Sequence, residues 1–324
     1  MKAHLVHAWG EPSDMKLTEL PDLKAAAGQI VIDVKAVGLN FFDILMVQGK
    51  YQVKPPFPFA PGGEIAGVVR EVGAGVSKVK PGERVLATVP YGAYATQVSA
   101  FEPQVFKIPD AMPFEHAAAF TVVYHTSYFA LVYRAPVSEG QTVLVHGAAG
   151  GVGLSAVQIA KALGAKVLAT AGSPEKREFV KAQGADQVFD SRDASWVDGV
   201  LKATGGRGAD HIYDPVGGEV FDLSLKAIAF SGNLHVIGFA SGTIPNVAMN
   251  RVLLKNISLV GLHWGAYQLK DPGKVPEAMA ALFAMYERGQ LPVQVGKTFP
   301  LENAIEALAE VSGRRVQGKV VLTA

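Results

Sequence analysis

Residues 146–155 read HGAAGGVGLS, a glycine-rich step between two apolar runs. The residues TVLVH before it predict a strand and those after it predict a helix, which is the context that a dinucleotide-binding fingerprint requires. Gly150 would let the backbone approach a pyrophosphate, Gly153 would let helix and strand pack closely, and free amides at the helix N-terminus would supply donors. A turn without a ligand is the alternative. The predicted cofactor-binding residues of this step are Ala148, in place of the usual first glycine, Ala149, Gly150, Gly151, Val152 and Gly153.

A second group of residues that could bind a ligand follows about twenty positions later, in TAGSPEKRE. An acid commonly stands at this point of a dinucleotide fold, where it bonds the free 2′-hydroxyl of NAD. Here Ala171 and Gly172 carry no carboxylate, and Ser173, Lys176 and Arg177 supply a hydroxyl and two cations. A 2′-phosphate would fit such a group, so the sequence favours NADPH as cofactor. The alternative is that the two cations belong to the solvated face of a helix.

The bulk composition restricts the remaining options. A chain of 324 residues with 49% hydrophobic residues is long enough for two domains with separate cores. Lys+Arg 30 against Asp+Glu 29 gives no global field that would attract nucleic acid. The absence of cysteine excludes disulfides, thiolate nucleophiles and cysteine-ligated zinc. With neither an export signal nor a long apolar segment, the sequence is interpreted as that of a cytoplasmic protein without membrane or nucleic-acid partners.

The chain shows two sequence patterns, and these predict the elements that position the residues named above. Residues 1–120 show short alternating or apolar runs separated by turns such as PGGE and KPGERV, which is typical of strands. From Val143 strand and helix alternate, including a helix with Ser173 as its N-cap, and this predicts a parallel sheet covered on both faces. We expect a last helix, at about residues 276–289, and the strand GKVVLT to return to the first domain. The predicted domains are 1–121 with 267–324, and 122–266.

Four segments together resemble one known family: AAGGVGLSAVQIAKALGA, PGGEIAGVVREVGAGV, GLNFFD and GKVVL. In order and spacing they are similar to the zinc-free quinone oxidoreductase, or zeta-crystallin-like, branch of the medium-chain dehydrogenase/reductase superfamily. The resemblance spans essentially the whole chain. It implies an α/β protein with a doubly wound Rossmann domain and a GroES-like, mostly-β catalytic domain, and a cleft between them that holds the nicotinamide.

Comparison with the zinc enzymes of that superfamily bears on the chemistry. They carry a cysteine where this chain has Asn40, a histidine where it has Gly63, and a cysteine-rich lobe that is absent here. No HExxH, no GxSxG and no complete P-loop occurs, since position 291 is leucine where the loop needs glycine. Hydride transfer without metal to a quinone or an activated enone remains, because conjugation spreads the developing charge onto an oxygen.

The resemblance also assigns site residues. Asn40 and Tyr51 are the predicted catalytic residues. The alternatives are that Asn40 is a loop residue bonded to its own backbone and that Tyr51 is an aromatic residue packed on prolines. Asp43 is interpreted as a structural anchor, and Leu45 in place of a second tyrosine suggests an apolar pocket. Arg192 is the alternative to Ser191, and Lys319 matches a cofactor-proximal basic position loosely. The predicted cofactor-binding residues from the resemblance are Asn40, Thr126, Ser191, Phe239, Ser241 and Arg314.

These observations predict an NADPH-dependent, zinc-independent reductase of quinones or α,β-unsaturated carbonyls. An enoyl-thioester reductase and a non-catalytic NADPH-binding structural or RNA-binding protein are the alternatives. The apolar segment NISLVGLHWG at residues 256–265 predicts the last Rossmann strand. Because an open edge of that length invites association, we expect a homodimer formed through it, as in relatives.

Overall fold

Both ends of the chain build one unit of structure and the middle builds another in the computed structural model, which describes all residues from Met1 to Ala324. Unit 1 consists of Met1–Val122 together with Val293–Ala324, and unit 2 consists of Val123–Pro292. None of the helices is long and apolar enough to cross a membrane.

The strands are β1 (Lys2–Leu5), β2 (Lys16–Glu19), β3 (Gln29–Gly38), β4 (Glu64–Val72), β5 (Arg84–Thr88), β6 (Gln97–Phe101), β7 (Val105–Lys107), β8 (Thr142–Val145), β9 (Lys166–Ala171), β10 (Gln187–Asp190), β11 (Ala209–Asp214), β12 (Ile228–Val236), β13 (Ser258–Gly261), β14 (Val295–Pro300) and β15 (Lys319–Thr323). The α-helices are α1 (Phe41–Val47), α2 (Phe114–Ala118), α3 (Thr121–Tyr128), α4 (Gly151–Ala162), α5 (Pro174–Ala182), α6 (Trp196–Ala203), α7 (Glu219–Ala227), α8 (Met249–Lys255), α9 (Tyr267–Lys270), α10 (Lys274–Glu287) and α11 (Ala304–Ser312). A π-helical turn, Phe129–Arg134, continues α3.

Unit 2 contains a six-stranded parallel sheet in the order β10-β9-β8-β11-β12-β13. This is the doubly wound order of the Rossmann fold, which the sequence predicted. The central strand β8 is a continuous buried run, TVLV, because a parallel sheet is covered on both faces. Leu144, Leu168, Ile212 and Leu234 are fully buried and contribute one side chain each from four neighbouring strands to the core.

Local signals place the helix that follows β9 where the sequence predicted it. Ser173 has extended backbone angles, and its Oγ accepts the backbone N–H of Lys176 at 3.3 Å. Pro174 occupies the first helical position, where its missing N–H costs nothing. The helix α5 therefore begins directly after the carboxyl end of β9, and this fixes the place of Lys176 relative to the sheet edge.

Unit 1 contains a seven-stranded sheet in the order β14-β15-β3-β4-β5-β7, with β6 paired to β3, and a separate β1-β2 ladder. All pairs are antiparallel except β14 with β15. Alternating residues of β3 and its neighbours, such as Ile30, Ile32 and Ile65, are fully buried in one core. The C-terminal strand β15 lies between β14 and β3, so the last residues of the chain complete a sheet begun by the first.

The second junction between the units follows Pro292, whereas the sequence analysis divided the chain between residues 266 and 267. Residues 267–292 pack within unit 2 for identifiable reasons. Nε2 of His125 lies 3.4 Å from the carbonyl oxygen of Val275, and Lys274 lies over the ring of Tyr133 at 5.0 Å. Gln158 Nε2 donates to the carbonyl of Pro292 at 2.9 Å. The helix α10 is thereby attached to the helices of unit 2.

The last strand of the parallel sheet is shorter than the segment 256–265 that predicts it. Asn256 takes a left-handed backbone conformation, and β13 covers only Ser258–Gly261. Trp264 then begins a 3₁₀ turn and stacks on the ring of His125, with ring centroids 4.9 Å apart. Since β13 pairs with β12 alone, its other edge is open in the chain.

Two buried histidines of unit 2 make its stability depend on pH. Burial lowers the pKa of His146 and of His235 from 6.5 to about 3. Because the folded-state pKa lies below the unfolded one, their stabilisation is complete above pH about 6.5 and is lost as pH falls toward 3. We expect the unfolding free energy to fall in this window by on the order of 1 kcal/mol per pH unit for each histidine.

The measurement is thermal unfolding by circular dichroism between pH about 4 and 8. The variant His235→Gln should show a shallower acid dependence than the wild type, whereas His7→Gln, at an exposed position, should not. An acid dependence that is identical in His235→Gln and the wild type would contradict the assignment.

Candidate functional site

The glycine-rich step forms a tight turn between β8 and α4. Gly147 has a positive φ of 58°, Gly150 is the N-cap of α4, and Ala148 is buried with its N–H donated to the carbonyl of Thr170. A Cβ added to Gly153 would lie 2.5 Å from the carbonyl oxygen of Gly147, so only glycine permits this approach. The first amides of α4 have no intrahelical partner and are available to an anion.

His146 immediately precedes this turn and is bonded to two other elements of unit 2. The sequence analysis did not single it out. Its Nδ1 lies 3.0 Å from Oγ of Thr170 at the end of β9, and its Nε2 lies 2.9 Å from Oγ of Ser224 in α7. The imidazole thus joins the end of β8 to β9 and α7, at the residue before the glycine turn. A histidine that ends a buried strand immediately before the step was the available signal.

Three loops meet at the carboxyl edge of the parallel sheet. The amides of Ala240 and Ser241, after β12, donate to the carbonyls of Pro215 and Val216, after β11. A Cβ on Gly147 would lie 3.5 Å from the side chain of Val216. The predicted cofactor residues in the loop after β12 and those of the glycine turn are therefore brought to one edge, where parallel α/β sheets bind ligands.

The end of β9 forms the second part of the site. Ala171 is buried, and a Cβ on Gly172 would lie 3.5 Å from Oγ of Ser191, which follows the adjacent strand β10. Ser173 caps α5, and Lys176 is half-buried, where desolvation lowers the pKa of its ammonium group. The structure thus brings Ser173, Lys176 and Ser191 together beside a residue that carries no carboxylate.

Asp190, at the end of β10, organises the arginines of this region and was missed in the sequence analysis. Its Oδ1 accepts the backbone N–H of Arg192 at 2.9 Å and Nε of the same residue at 3.1 Å. Its Oδ2 accepts Nη2 of Arg192 and Nη1 of Arg177, both at 2.9 Å. These bonds, those of Arg192 foremost, hold the pKa of the carboxyl well below its usual range. Arg177 thus forms an ion pair with Asp190.

Asn40 lies in a buried polar network of unit 1. Its Oδ1 accepts Nζ of Lys319 at 2.7 Å, and its Nδ2 donates to Oε1 of Glu64 at 2.8 Å. The same ammonium group donates to Oε1 of Glu64 at 2.7 Å and to the carbonyl of Leu39 at 2.6 Å. The amide of Asn40 is therefore used inside unit 1. Lys319 fills the network because the buried carboxylate of Glu64 requires a cation, and all three of its hydrogens are engaged there.

Asp43 extends this network as the anchor that the sequence suggested. Its Oδ2 accepts the N–H of Asn40 at 2.8 Å and the hydroxyl of Tyr94 at 3.0 Å, while its Oδ1 has no hydrogen-bond partner. Burial raises the pKa of this carboxyl to about 7. Tyr51 stacks on Phe42 with ring centroids 5.2 Å apart, and burial followed by the charge of Asp43 raises the pKa of its phenol.

The other predicted residues differ in exposure and in the unit to which they belong. Thr126 is half-buried in α3, and Phe239 is 38% exposed. Ser241 is exposed, and its Oγ accepts the N–H of Thr243 at 3.2 Å. Arg314, in unit 1, is exposed with a positive φ of 53°. The roles of these four residues, and those of Asn40 and Tyr51, stay predictions.

Comparison with known proteins agrees with this architecture. Residues 26–110 match the alcohol dehydrogenase GroES-like domain, and residues 151–284 match the family described as zinc-binding dehydrogenase. The chain is 39% identical to quinone oxidoreductase-like protein 2 of Rattus norvegicus over 91% of its own length and 85% of that protein. It is 34% identical to quinone oxidoreductase of Homo sapiens over 99% of its length and 97% of that protein.

Two solved structures extend the comparison. Escherichia coli quinone oxidoreductase complexed with NADPH superposes with a TM-score of 0.93 and 31% identity, covering 100% of both chains. The CurK enoyl reductase superposes with a TM-score of 0.90 and 27% identity, covering 99% of each chain.

A Rossmann unit with a glycine turn at its sheet edge and a GroES-like unit in the same chain are the architecture of a nucleotide-dependent oxidoreductase. The chain belongs to the quinone oxidoreductase branch of the medium-chain dehydrogenase/reductase superfamily.

The network around Asn40 generates a stability prediction. Lys319→Met leaves the carboxylate of Glu64 buried without its cation, and we expect a loss of about 3–5 kcal/mol in the unfolding free energy. Lys297→Met is the matched control, because Lys297 forms an exposed pair with Glu310, and its loss should stay within about 1 kcal/mol. The measurement is urea unfolding in which hydrogen exchange of peptides from β15 is the probe. Equal effects of the two substitutions would show that the buried pair has no special role.

Proposed function

We propose that the protein is an NADPH-dependent reductase that transfers hydride to quinones or α,β-unsaturated carbonyls without zinc. The observation that carries the cofactor choice is the end of β9, where Ala171 stands at the position of the usual acid and Ser173 and Lys176 lie beside it. An acid there would repel a 2′-phosphate, whereas a hydroxyl and an ammonium group favour it. The relatives named quinone oxidoreductase support the substrate class.

The residues of unit 2 fit the cofactor. The turn from Gly147 to Gly153 provides the close backbone approach and the amides that a pyrophosphate requires, and a Cβ at Gly153 would close it. The complex of the Escherichia coli relative with NADPH supports the same choice. In the proposal, Ser173 and Lys176 hold the 2′-phosphate, and the loop containing Phe239 and Ser241 lies toward the nicotinamide. The bound cofactor supplies the hydride.

Substrate activation in the proposal rests on hydrogen bonding. Tyr51 has a raised pKa, so its phenol stays protonated at neutral pH and can donate to the oxygen on which negative charge develops. Asn40 acts as a positioning residue, because its side chain is held by Lys319 and Glu64 and its N–H by Asp43. The proton that completes the reduction comes from solvent.

Zinc independence is part of the proposal. Asn40 and Gly63 occupy the positions at which the zinc enzymes of the superfamily carry a cysteine and a histidine. The side chain of Asn40 is bonded to Lys319, whose positive charge disfavours a second cation at that place. A metal is not needed for substrates in which conjugation delocalises the charge.

A second candidate is an enoyl-thioester reductase, which uses the same hydride step. The structural similarity to the CurK enoyl reductase, with a TM-score of 0.90, favours keeping it. A quinone and an enoyl thioester both accept hydride at a conjugated carbon, so the two candidates differ in the group that the protein must recognise beyond that carbon.

Steady-state turnover with NADPH distinguishes these candidates. We expect a quinone or a simple enone to be reduced with a higher kcat/KM than a crotonyl thioester of coenzyme A, and we expect dialysis against a strong chelator to leave the rate unchanged. A preference for the thioester would favour the second candidate. Activity that is lost on chelation and restored by zinc would contradict the metal-free mechanism.

The cofactor preference generates a sharper prediction. Lys176→Ala should weaken NADPH binding by about ten- to a hundredfold, because a charge-assisted hydrogen bond contributes roughly 1.5–3 kcal/mol. Binding of NADH, which carries no phosphate there, should barely change. Ser173→Ala should act in the same direction more weakly, and Ala171→Asp should reverse the preference.

The measurement is the ratio of kcat/KM for NADPH to that for NADH, with Lys181→Ala as the control on the same helix. A ratio in Lys176→Ala within about twofold of the wild type would assign Lys176 to a solvated helix face.

We also propose a homodimer through the open edge of β13. Apolar side chains of β12 and of α8, the helix that precedes β13, are strongly exposed, among them Phe230 at 68%, Leu253 at 73% and Leu254 at 76%. Covering them against a second copy would remove apolar surface from water and pair the strand edge. The wild type should therefore be a dimer by light scattering at micromolar concentration. Leu254→Lys should shift it toward monomer, whereas Leu269→Lys, at a residue 85% exposed, should not. A monomeric wild type would refute this proposal.

A further inference from the structure

The buried polar network around Asn40 contains two carboxyl groups and one cation. Asp43 and Glu64 are completely buried, and Lys319 is 6% exposed. If both carboxyl groups were ionised, the network would carry one uncompensated negative charge away from solvent. Burying an unpaired charge is costly, and a carboxyl group in that position takes up a proton instead. One of the two carboxyl groups therefore holds a proton over part of the ordinary pH range.

The hydrogen bonds indicate which carboxyl group this is. Oε1 of Glu64 accepts Nδ2 of Asn40 and Nζ of Lys319. Its Oε2 accepts the backbone N–H of Val122 at 2.8 Å. The three hydrogens of the Lys319 ammonium group are all engaged away from Asp43. Glu64 is therefore supplied with donors at both oxygens and with the cation, as a carboxylate requires.

Asp43, in contrast, is bonded at one oxygen only. Its Oδ2 accepts the N–H of Asn40 and the hydroxyl of Tyr94, whereas its Oδ1 is buried without a hydrogen-bond partner. The neutral acid can carry its proton on Oδ1 and keep both bonds at Oδ2. The carboxylate would leave a charged oxygen unpaired, which costs more free energy than an unpaired neutral group. The pKa of this carboxyl, which burial raises to about 7, agrees with that distribution.

The titratable groups that face Asp43 come from four other parts of unit 1. They are Lys319 of β15, Glu64 at the start of β4, Tyr94 in the loop before β6 and Tyr51 in the segment after α1. Lys319 and the hydroxyl of Tyr94 favour the carboxylate, and burial and the charge of Glu64 favour the acid. The helix α11, which also contacts α1, buries apolar residues there.

We propose that Asp43 is a pH-sensitive positioning residue: its neutral acid keeps Asn40 and the first turn of α1 closed, and loss of the proton favours an open form in which water reaches Oδ1. This inference rests on the proposed function in so far as Asn40 and Tyr51 act on the substrate. The charge of the ionised group also raises the pKa of the Tyr51 phenol, which makes that phenol a weaker hydrogen-bond donor.

The direction of the effect follows from the two states of Asp43. In the open form the carboxyl meets water and titrates near its ordinary pKa of 3.8, whereas in the closed form its pKa is about 7. The stabilisation of the closed form is complete below pH about 3.8 and is lost as pH rises to about 7. Above pH about 7 both forms are ionised, so the balance between them no longer changes.

Hydrogen exchange of a peptide that covers residues 38–48 measures this opening without any turnover. Asp43→Asn, which stays neutral at every pH, is the reference, and the ratio of the wild-type rate to its rate removes the intrinsic pH dependence of exchange. We expect this ratio to rise about tenfold per pH unit between pH about 5 and 7 and to level off above. A ratio that does not change with pH would overturn the proposal.

Two substitutions should move the pH at which the ratio levels off in opposite directions. Tyr94→Phe removes a hydrogen bond that favours the carboxylate, so the ratio should level off at a higher pH. Glu64→Gln removes a like charge, so it should level off at a lower pH. Each variant is compared with its own double variant that also carries Asp43→Asn. Since Tyr94→Phe removes a single hydroxyl, it keeps the test available where Glu64→Gln does not fold. An unchanged levelling point would assign the titration to another group and overturn the role of Asp43.

Asp33→Asn is the matched control within unit 1. The side chain of Asp33 is 37% exposed and pairs with Arg70 at the surface, so its charge is screened by solvent. The exchange profile of residues 38–48 in Asp33→Asn should therefore match that of the wild type. An equal flattening in Asp33→Asn and Asp43→Asn would reduce the effect to net charge and overturn the assignment.

Turnover separates this inference from the proposed function. With NADPH and a quinone, kcat/KM of the wild type should be lower at pH about 8 than at pH about 6, and Asp43→Asn should show a smaller decrease. A wild type that shows the exchange profile but reduces neither a quinone nor an enone would overturn the proposed function and support the conformational switch. A pH profile of turnover that is identical in the wild type and Asp43→Asn would overturn the link between the switch and the reaction.

Discussion

The close contact between the first turn of α4 and the backbone of Gly147 is the constraint on which the dinucleotide site depends. With a Cβ at Gly153 the helix would have to move away from the strand, since the new atom would lie 2.5 Å from a carbonyl oxygen. This approach sets the helix N-terminus at the carboxyl edge of β8, next to the loops after β11 and β12. His146, the residue before the turn, is bonded to Thr170 and Ser224. The turn that begins α4 is therefore a product of backbone packing rather than of its side chains.

In unit 1 a local conformation is fixed by buried charged side chains rather than by backbone packing. Glu64 and Lys319 have almost no exposed side-chain surface, so their pairing is offset by a large desolvation cost and contributes little net stability. The pair instead fixes the orientation of the Asn40 side chain, because its amide can bond both partners in only one orientation. Asp43 adds a bond to the N–H of Asn40 and determines where α1 begins.

The sequence was sufficient for features that are local or periodic. The parallel sheet followed from apolar runs such as TVLV, and α5 followed from Ser173 and Pro174, because such signals act within a few residues. The partners of Asn40 could not be predicted in this way. Glu64 and Lys319 are 255 residues apart, and their pairing depends on β15 lying beside β3. The packing of α10 on the other helices of unit 2 is likewise a tertiary contact. The boundary of the unit therefore lies after Pro292 and not after residue 266, where the local sequence pattern had placed it.

The division of unit 1 between two distant stretches has a consequence for the order of events during translation. Residues 123–292 form an uninterrupted unit, so all of its strands are synthesised before β14 and β15. Until then β3 lacks its neighbour β15, and Glu64 lacks the ammonium group of Lys319. Domains fold as units once their residues are complete, so the nucleotide-binding unit matures first although it comes second in the chain. The first part of unit 1 meanwhile keeps an open strand edge at the end of β3, which the C-terminal strand closes last.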